Sequence, residues 1–158
     1  MTSRPAVNNP RTEVTLTRII DAPRELVWKA WTDPAMLARW WGPHGFTNPR
    51  CEADVRVGGK ILIHMRAPDG TVFPMTGTFD EVAEPECLVF RAVPVDDNGA
   101  ALLESLTTVT LHDLGGKTKV IVHASAAPLQ LVADQMLKGM EAGWTQSLER
   151  FAELVAVR

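Results

Sequence analysis

The 158-residue chain has no tyrosine, two cysteines and no surplus of positive charge. Each shortage excludes something. Cys51 and Cys87 are too few for a disulfide framework and fall in no metal-ligand spacing, so two reduced thiols in a cytoplasmic protein are expected. The net charge of -3, without a Lys/Arg cluster, offers no basic face to nucleic acid or to an anionic membrane. No apolar run approaches the roughly 20 residues of a membrane span. Residues 1–12 are rich in Pro, Asn and Ser and lack an apolar core, which makes them a loose tail rather than a secretory signal. Residues 13–158 then form one domain, and 46% apolar with 22% charged residues is the profile of an ordinary globular one.

Catalytic signatures are also scarce. There is no G-x-S-x-G elbow, and Ser105, Ser125 and Ser147 stand in no local nucleophile motif. His44, His64, His112 and His123 have no metal-binding spacing. The Gly-Gly pairs fall between strand patterns, not before a helix where they could cradle phosphate. Glu84/Glu86 and Asp96/Asp97 lie in turn-like stretches and read as solvated. No metal or cofactor is nominated, and no motif identifies a catalytic residue.

What the chain does have is a long amphipathic stretch at its end. From Pro128 to Val157, helical spacing puts Leu137, Met140, Trp144, Leu148, Phe151 and Val155 on one stripe, opposite Lys138, Thr145, Gln146, Glu149 and Glu153. Such a stripe needs a broad apolar surface to cover it. Gly139 and Gly143 interrupt it at about 1 kcal/mol each against alanine. They mark close packing, a break after Lys138, or space kept for a ligand.

The rest reads as strands and turns. Glu13–Ile20 alternates as a strand, and Asp21-Ala22-Pro23 starts a short helix with Asp21 as the expected cap. Asp33-Pro34 starts a second, stopped by Gly42-Pro43. Trp28, Trp31, Trp40 and Trp41 crowd these two helices and are expected to clamp them to the sheet edge, with Trp41 nearest a cavity mouth. A meander follows: Cys51–Val57, a two-residue turn at Gly58-Gly59, Lys60–Ala67, Thr71–Val82, Leu88–Val93, Leu103–Leu111 and Lys117–Ala124. Ile61, Ile63 and Met65 share one face, and His64 and Arg66 the other. The pattern predicts an α+β domain, a curved antiparallel sheet around a long C-terminal helix.

At Asp21-Ala22-Pro23, Ala30-Trp31-Thr32-Asp33-Pro34, Leu37 and Trp40-Trp41-Gly42-Pro43 the sequence resembles a known family. It is the bacterial family related to the activator of the ninety-kilodalton heat-shock protein ATPase, within the START-like (SRPBCC) superfamily. Val57-Gly58-Gly59, Pro68-Asp69-Gly70, Gly77-Thr78-Phe79, Gly139-Met140 and Gly143-Trp144 extend the resemblance in order to Leu154. It implies a helix-grip (START-like/Bet v-like) fold. Superfamily relatives include carriers of apolar molecules, hormone receptors, aromatase-cyclases and co-chaperone domains, among which fold alone does not choose.

The favoured expectation is a binding protein for a small apolar or amphipathic molecule, held between the helix and the concave sheet. Its expected lining is Met65, Phe73, Met75, Phe79, Phe90, Met140 and Trp144, with Gly143 leaving space and Trp41 and His44 at the rim. The enzymatic alternative, a cyclase or dehydratase, needs polar groups inside, and only His44, His64, Arg66 and Glu141 offer themselves. The third reading is a co-chaperone. Eukaryotic activators carry a further N-terminal domain, for which the tail before Val14 is expected to be too short. A homodimer is a further possible partner arrangement.

Overall fold

Alternating side chains from Thr12 to Ile20 make the first strand, β1, with Val14 and Ile20 turned to the core and Thr15 and Thr17 to solvent. The computed structural model describes residues 11–156. The expected tail lies outside those residues except for its last two positions, and Thr12 already pairs with Ala126.

Two short helices follow, α1 (Arg24–Thr32) and α2 (Pro34–Trp40). Asp21 does not cap α1. The helix starts on Pro23, whose carbonyl accepts from the Leu26 and Val27 amides. Asp33 does cap α2, its Oδ1 accepting from the Ala35 amide at 3.0 Å with Pro34 in the first position. Helices this short depend on packing. Trp28, Trp31, Trp40 and Trp41 provide it, and each is at most 9% exposed. Trp40 Nε1 donates to Ala30 O at 2.8 Å, tying the helices together, and its ring meets Phe151 edge-on at 5.0 Å. α2 lies along the edge strand Thr47–Ala53, and three of these rings also reach the C-terminal helix: Trp31 and Trp40 pack on Phe151, and Trp41 meets Trp144 edge-on.

Among the described residues, the sheet has β1, β2 (Thr47–Ala53), β3 (Lys60–Arg66), β4 (Val72–Ala83), β5 (Cys87–Pro94), β6 (Leu103–Asp113) and β7 (Thr118–Pro128). All pairs are antiparallel, in the order β1-β7-β6-β5-β4-β3-β2. The meander therefore runs in chain order, and β1 joins its last strand. The largest differences from the sequence expectation are in β2 and β7. β2 starts at Thr47 and ends at Ala53, and the chain turns through residues 54–59 instead of a two-residue hairpin. That loop is pinned to β4 by Gly58 N donating to Phe79 O and Phe79 N donating to Gly59 O. Only glycine fits at position 59, where a Cβ would lie 1.8 Å from Asp54 O. β7 also runs on to Pro128, four residues past the expected Ala124.

The expected single helix over 128–157 is in three pieces. A 3₁₀ turn, Leu131–Ala133, leads into α3 (Asp134–Lys138), and Gly139 separates that from α4 (Met140–Val155). The break after Lys138 is the outcome the structure adopts. The core divides at the same place. Leu148, Phe151 and Val155 belong to a large cluster with the tryptophans and with Leu88, Val109, Leu111, Val120 and Val122 on the concave face. Leu137 and Ala133 belong to a smaller cluster with Leu102, Leu103 and Ala126. No described helix is long and apolar enough to cross a membrane.

Candidate functional site

Between those two clusters lies a cavity of about 210 Å³. Its origin is a change of side-chain size along the strands. Under the C-terminal half of α4 the concave face carries Leu88, Val109, Leu111, Val120 and Val122. Two to four residues further along the same strands it carries Ala92, Ser105, Thr107, Ala124 and Ala126. The helix breaks above these small residues, so neither layer fills the gap. The walls are Trp41, Gly42 and Pro43 on one side, Met136, Leu137 and Met140 on another, and Gly143, Trp144 and Ser147 from α4. Among the described residues that line the cavity, none is ionisable.

Seven of the ten expected site residues meet here: Trp41, Met65, Met75, Phe90, Met140, Gly143 and Trp144. Phe79 lies deeper. It borders a separate void of about 20 Å³ with Trp31, Ile61, Ile63 and Leu88, its ring 6.4 Å from Phe90. Phe73 shares the concave face of β4 with Met75, but it stands at the uncovered end of the strand. It is 37% exposed and packs on Phe46 at 6.2 Å. His44 is on the outer side of the loop after α2, where Nε2 lies 2.8 Å from Glu149 Oε1 and its amide donates to Gln146 Oε1 at 3.1 Å. The other groups nominated for catalysis lie elsewhere. Cross-strand neighbours share a face, so pairing with Arg50 and Pro74 puts His64 on the convex side, and Arg66 and Glu141 are exposed.

The two helix glycines resolve differently from close packing. A Cβ on Gly143 would meet Pro43 Cγ at 3.9 Å, an ordinary contact, and one on Gly139 would meet only its own helix at 3.8 Å. Neither position requires glycine for clearance, and Gly143 leaves open space at the cavity wall.

Sequence reasoning passed over two features. The first is the small-residue floor, whose signal was present as alternating Ala, Ser and Thr at inward positions of β5, β6 and β7. The second is Arg150. Its Nη1 donates to the carbonyls of Trp41, Gly42 and Pro43 at 2.9–3.1 Å, and its Nη2 donates to Arg39 O at 3.1 Å. Asn48 Nδ2 adds bonds to Ala38 O and Trp41 O. One guanidinium thus gathers a carbonyl from the last turn of α2 with three from the residues after it, and fixes the loop that forms a cavity wall. Burial lowers the Arg150 pKa. Burial also pushes the Cys51 thiol up to about 11, with Glu52 adding to it, and Cys87 is raised in the same way, with Glu81 and Glu86 contributing. Neither thiol is an activated nucleophile.

A curved antiparallel sheet holding a C-terminal helix over an apolar cavity defines a helix-grip protein of the START-like class. Residues 21–156 match the family described as Activator of Hsp90 ATPase homolog 1-like protein, and the chain belongs to that family. It is similar to a solved Chromobacterium violaceum protein, with 28% identity and a TM-score of 0.76 over 93% of this chain and 99% of that one. It is also similar to the AHSA1 protein of Silicibacter pomeroyi, with 26% identity and a TM-score of 0.76 over 91% of this chain and 97% of that one. A Rhizobium leguminosarum structure, 19% identical with a TM-score of 0.79 over 93% and 95%, shares the fold. No curated protein matches the chain.

Proposed function

We propose that this protein binds a small apolar or amphipathic molecule in the cavity between α3–α4 and the concave sheet. One observation carries the reading: about 210 Å³ of apolar-walled space opens between α3–α4 and the concave sheet, beside an otherwise dense core. Protein interiors are close-packed and hold few voids larger than a water molecule. An apolar cavity of roughly 150 Å³ accepts benzene, so this one has room for a bicyclic aromatic or a short acyl chain. Four methionines, Met65, Met75, Met136 and Met140, give its wall adaptable side chains. The enzymatic alternative loses its nominated groups, since His44, His64, Arg66 and Glu141 do not line the cavity. The chaperone-activating reading rests on the family's description alone.

Naphthalene tests the proposal, read by calorimetry and by the emission of Trp41 and Trp144, which line the cavity. A ligand of that size is expected to bind with Kd of roughly 10 µM to 1 mM. Gly143→Leu should fill the space and weaken binding about tenfold or more while the protein stays folded. A folded wild type that shows no saturable change up to the solubility limit would sink the proposal.

A further inference from the structure

The geometry points to an uncharged ligand that carries a hydroxyl group on its apolar body, gripped between Ser105 on β6 and Ser147 on α4. This rests on the cavity reading above and narrows it to a class of molecule. Two observations carry it. The first is where the wall's few polar side chains stand. Ser105 and Thr107 are alternate residues of β6 and both face the cavity from the sheet, while Ser147 faces it from the helix opposite. Ser147 and Thr107 are 6% and 1% exposed, so little of either side chain meets bulk water. Hydroxyls on an otherwise apolar wall are where an occupant of the space can form hydrogen bonds, in place of the water it displaces. Ser105 narrows the chemistry further. Its Oγ donates its proton to Ala92 O at 2.9 Å, so it presents only lone pairs to the cavity and asks for a donor. The Ser147 hydroxyl can either donate or accept. A ligand hydroxyl placed between them would donate to Ser105 Oγ and accept from Ser147.

The second observation is the charge of the wall. None of the described lining residues is ionisable, and Arg150, which bonds the loop at 41–43, directs its Nη1 and Nη2 donors to four backbone carbonyls. A carboxylate or ammonium brought into the cavity would lose its water without gaining a counter-charge, which buried charges do not tolerate. Fatty acids in their ionised form are therefore excluded from full burial, and phenols and alcohols of one- or two-ring size are selected.

The test compares three probes of matched shape at neutral pH: 2-naphthol, 2-methylnaphthalene and 2-naphthoate. Wild type is expected to bind 2-naphthol about three- to tenfold more tightly than 2-methylnaphthalene, the contribution of one neutral hydrogen bond. 2-Naphthoate should bind at least about a hundredfold more weakly than 2-naphthol. Ser147→Ala and Ser105→Ala should each reduce the preference for 2-naphthol and leave 2-methylnaphthalene binding unchanged or improved. Equal affinity of wild type for 2-naphthol and 2-methylnaphthalene overturns the inference and leaves the apolar-cavity reading standing. So does 2-naphthoate binding as tightly as 2-naphthol. Failure of all three to bind removes the cavity reading itself, and this inference with it.

Discussion

Gly143→Ala separates a glycine kept for clearance from one that merely leaves room. Gly143 is inside α4, where glycine costs roughly 0.5–1 kcal/mol relative to alanine through backbone entropy. The added methyl would stand 3.9 Å from Pro43 Cγ, with no closer neighbour. That is van der Waals contact without displacement, so the substitution should recover most of the helix term. The expected outcome is a gain of about 0.5–1 kcal/mol, which for a domain of this size raises Tm by about 1–4 °C. Thermal unfolding followed by circular dichroism, with urea denaturation as a second measure, reads it directly. The methyl occupies only a small part of the 210 Å³ space, so naphthalene binding should fall much less than in Gly143→Leu. A fall in Tm of more than about 2 °C would refute the reasoning, because it would show that α4 packs more tightly on the Pro43 loop than a 3.9 Å contact allows.

Phe151 is fully buried and packs on Trp31 and Trp40, so Phe151→Ala should cost about 3–5 kcal/mol in chemical denaturation; a loss below about 1 kcal/mol would contradict that packing. Arg150→Met should lower stability by about 1–3 kcal/mol, since it strands the carbonyls of Arg39, Trp41, Gly42 and Pro43, and an unchanged urea midpoint would show that water replaces the guanidinium. The raised Cys51 pKa makes thiolate scarce at pH 8, so modification by a disulfide reagent should run well below the free-cysteine rate and climb only towards pH 11. The sign for stability follows: folding favours the protonated thiol, so this contribution is complete below the usual value of 9.0 and is lost as pH rises through about 11. A free-cysteine rate at pH 8 would show that Cys51 is not buried.

The cavity's aromatic and methionine walls were legible because large apolar residues announce themselves by periodicity. Met65, Met75 and Phe90 follow the two-residue alternation of strands, and Met140 and Trp144 the helical stripe. Phe73 satisfied the same alternation and still fell outside. Periodicity assigns a face but does not say how far along the strand the helix covers it, and at Phe73 the cover has ended. The small residues were passed over for the converse reason. Alanine and serine at inward positions contribute little to an apolar pattern, yet their lack of volume is what creates the space.

The sequence by itself determined the order of elements, the inward face of most strands, the Asp33 cap of α2 and the membership of the helix-grip family, because these depend on local alternation, turn chemistry and capping. Tertiary structure alone decided where the C-terminal helix breaks and which side chains meet across it. Gly139 permits a break, but α3 and α4 occupy their places because Leu137 packs with Leu102, Leu103 and Ala126 while Leu148 and Phe151 pack with the tryptophans. Arg150 likewise acquires its role only when α4 comes to lie beside carbonyls more than 100 residues earlier in the chain. Volume left over between two packed clusters is a property of both surfaces together, and no local window of sequence contains it.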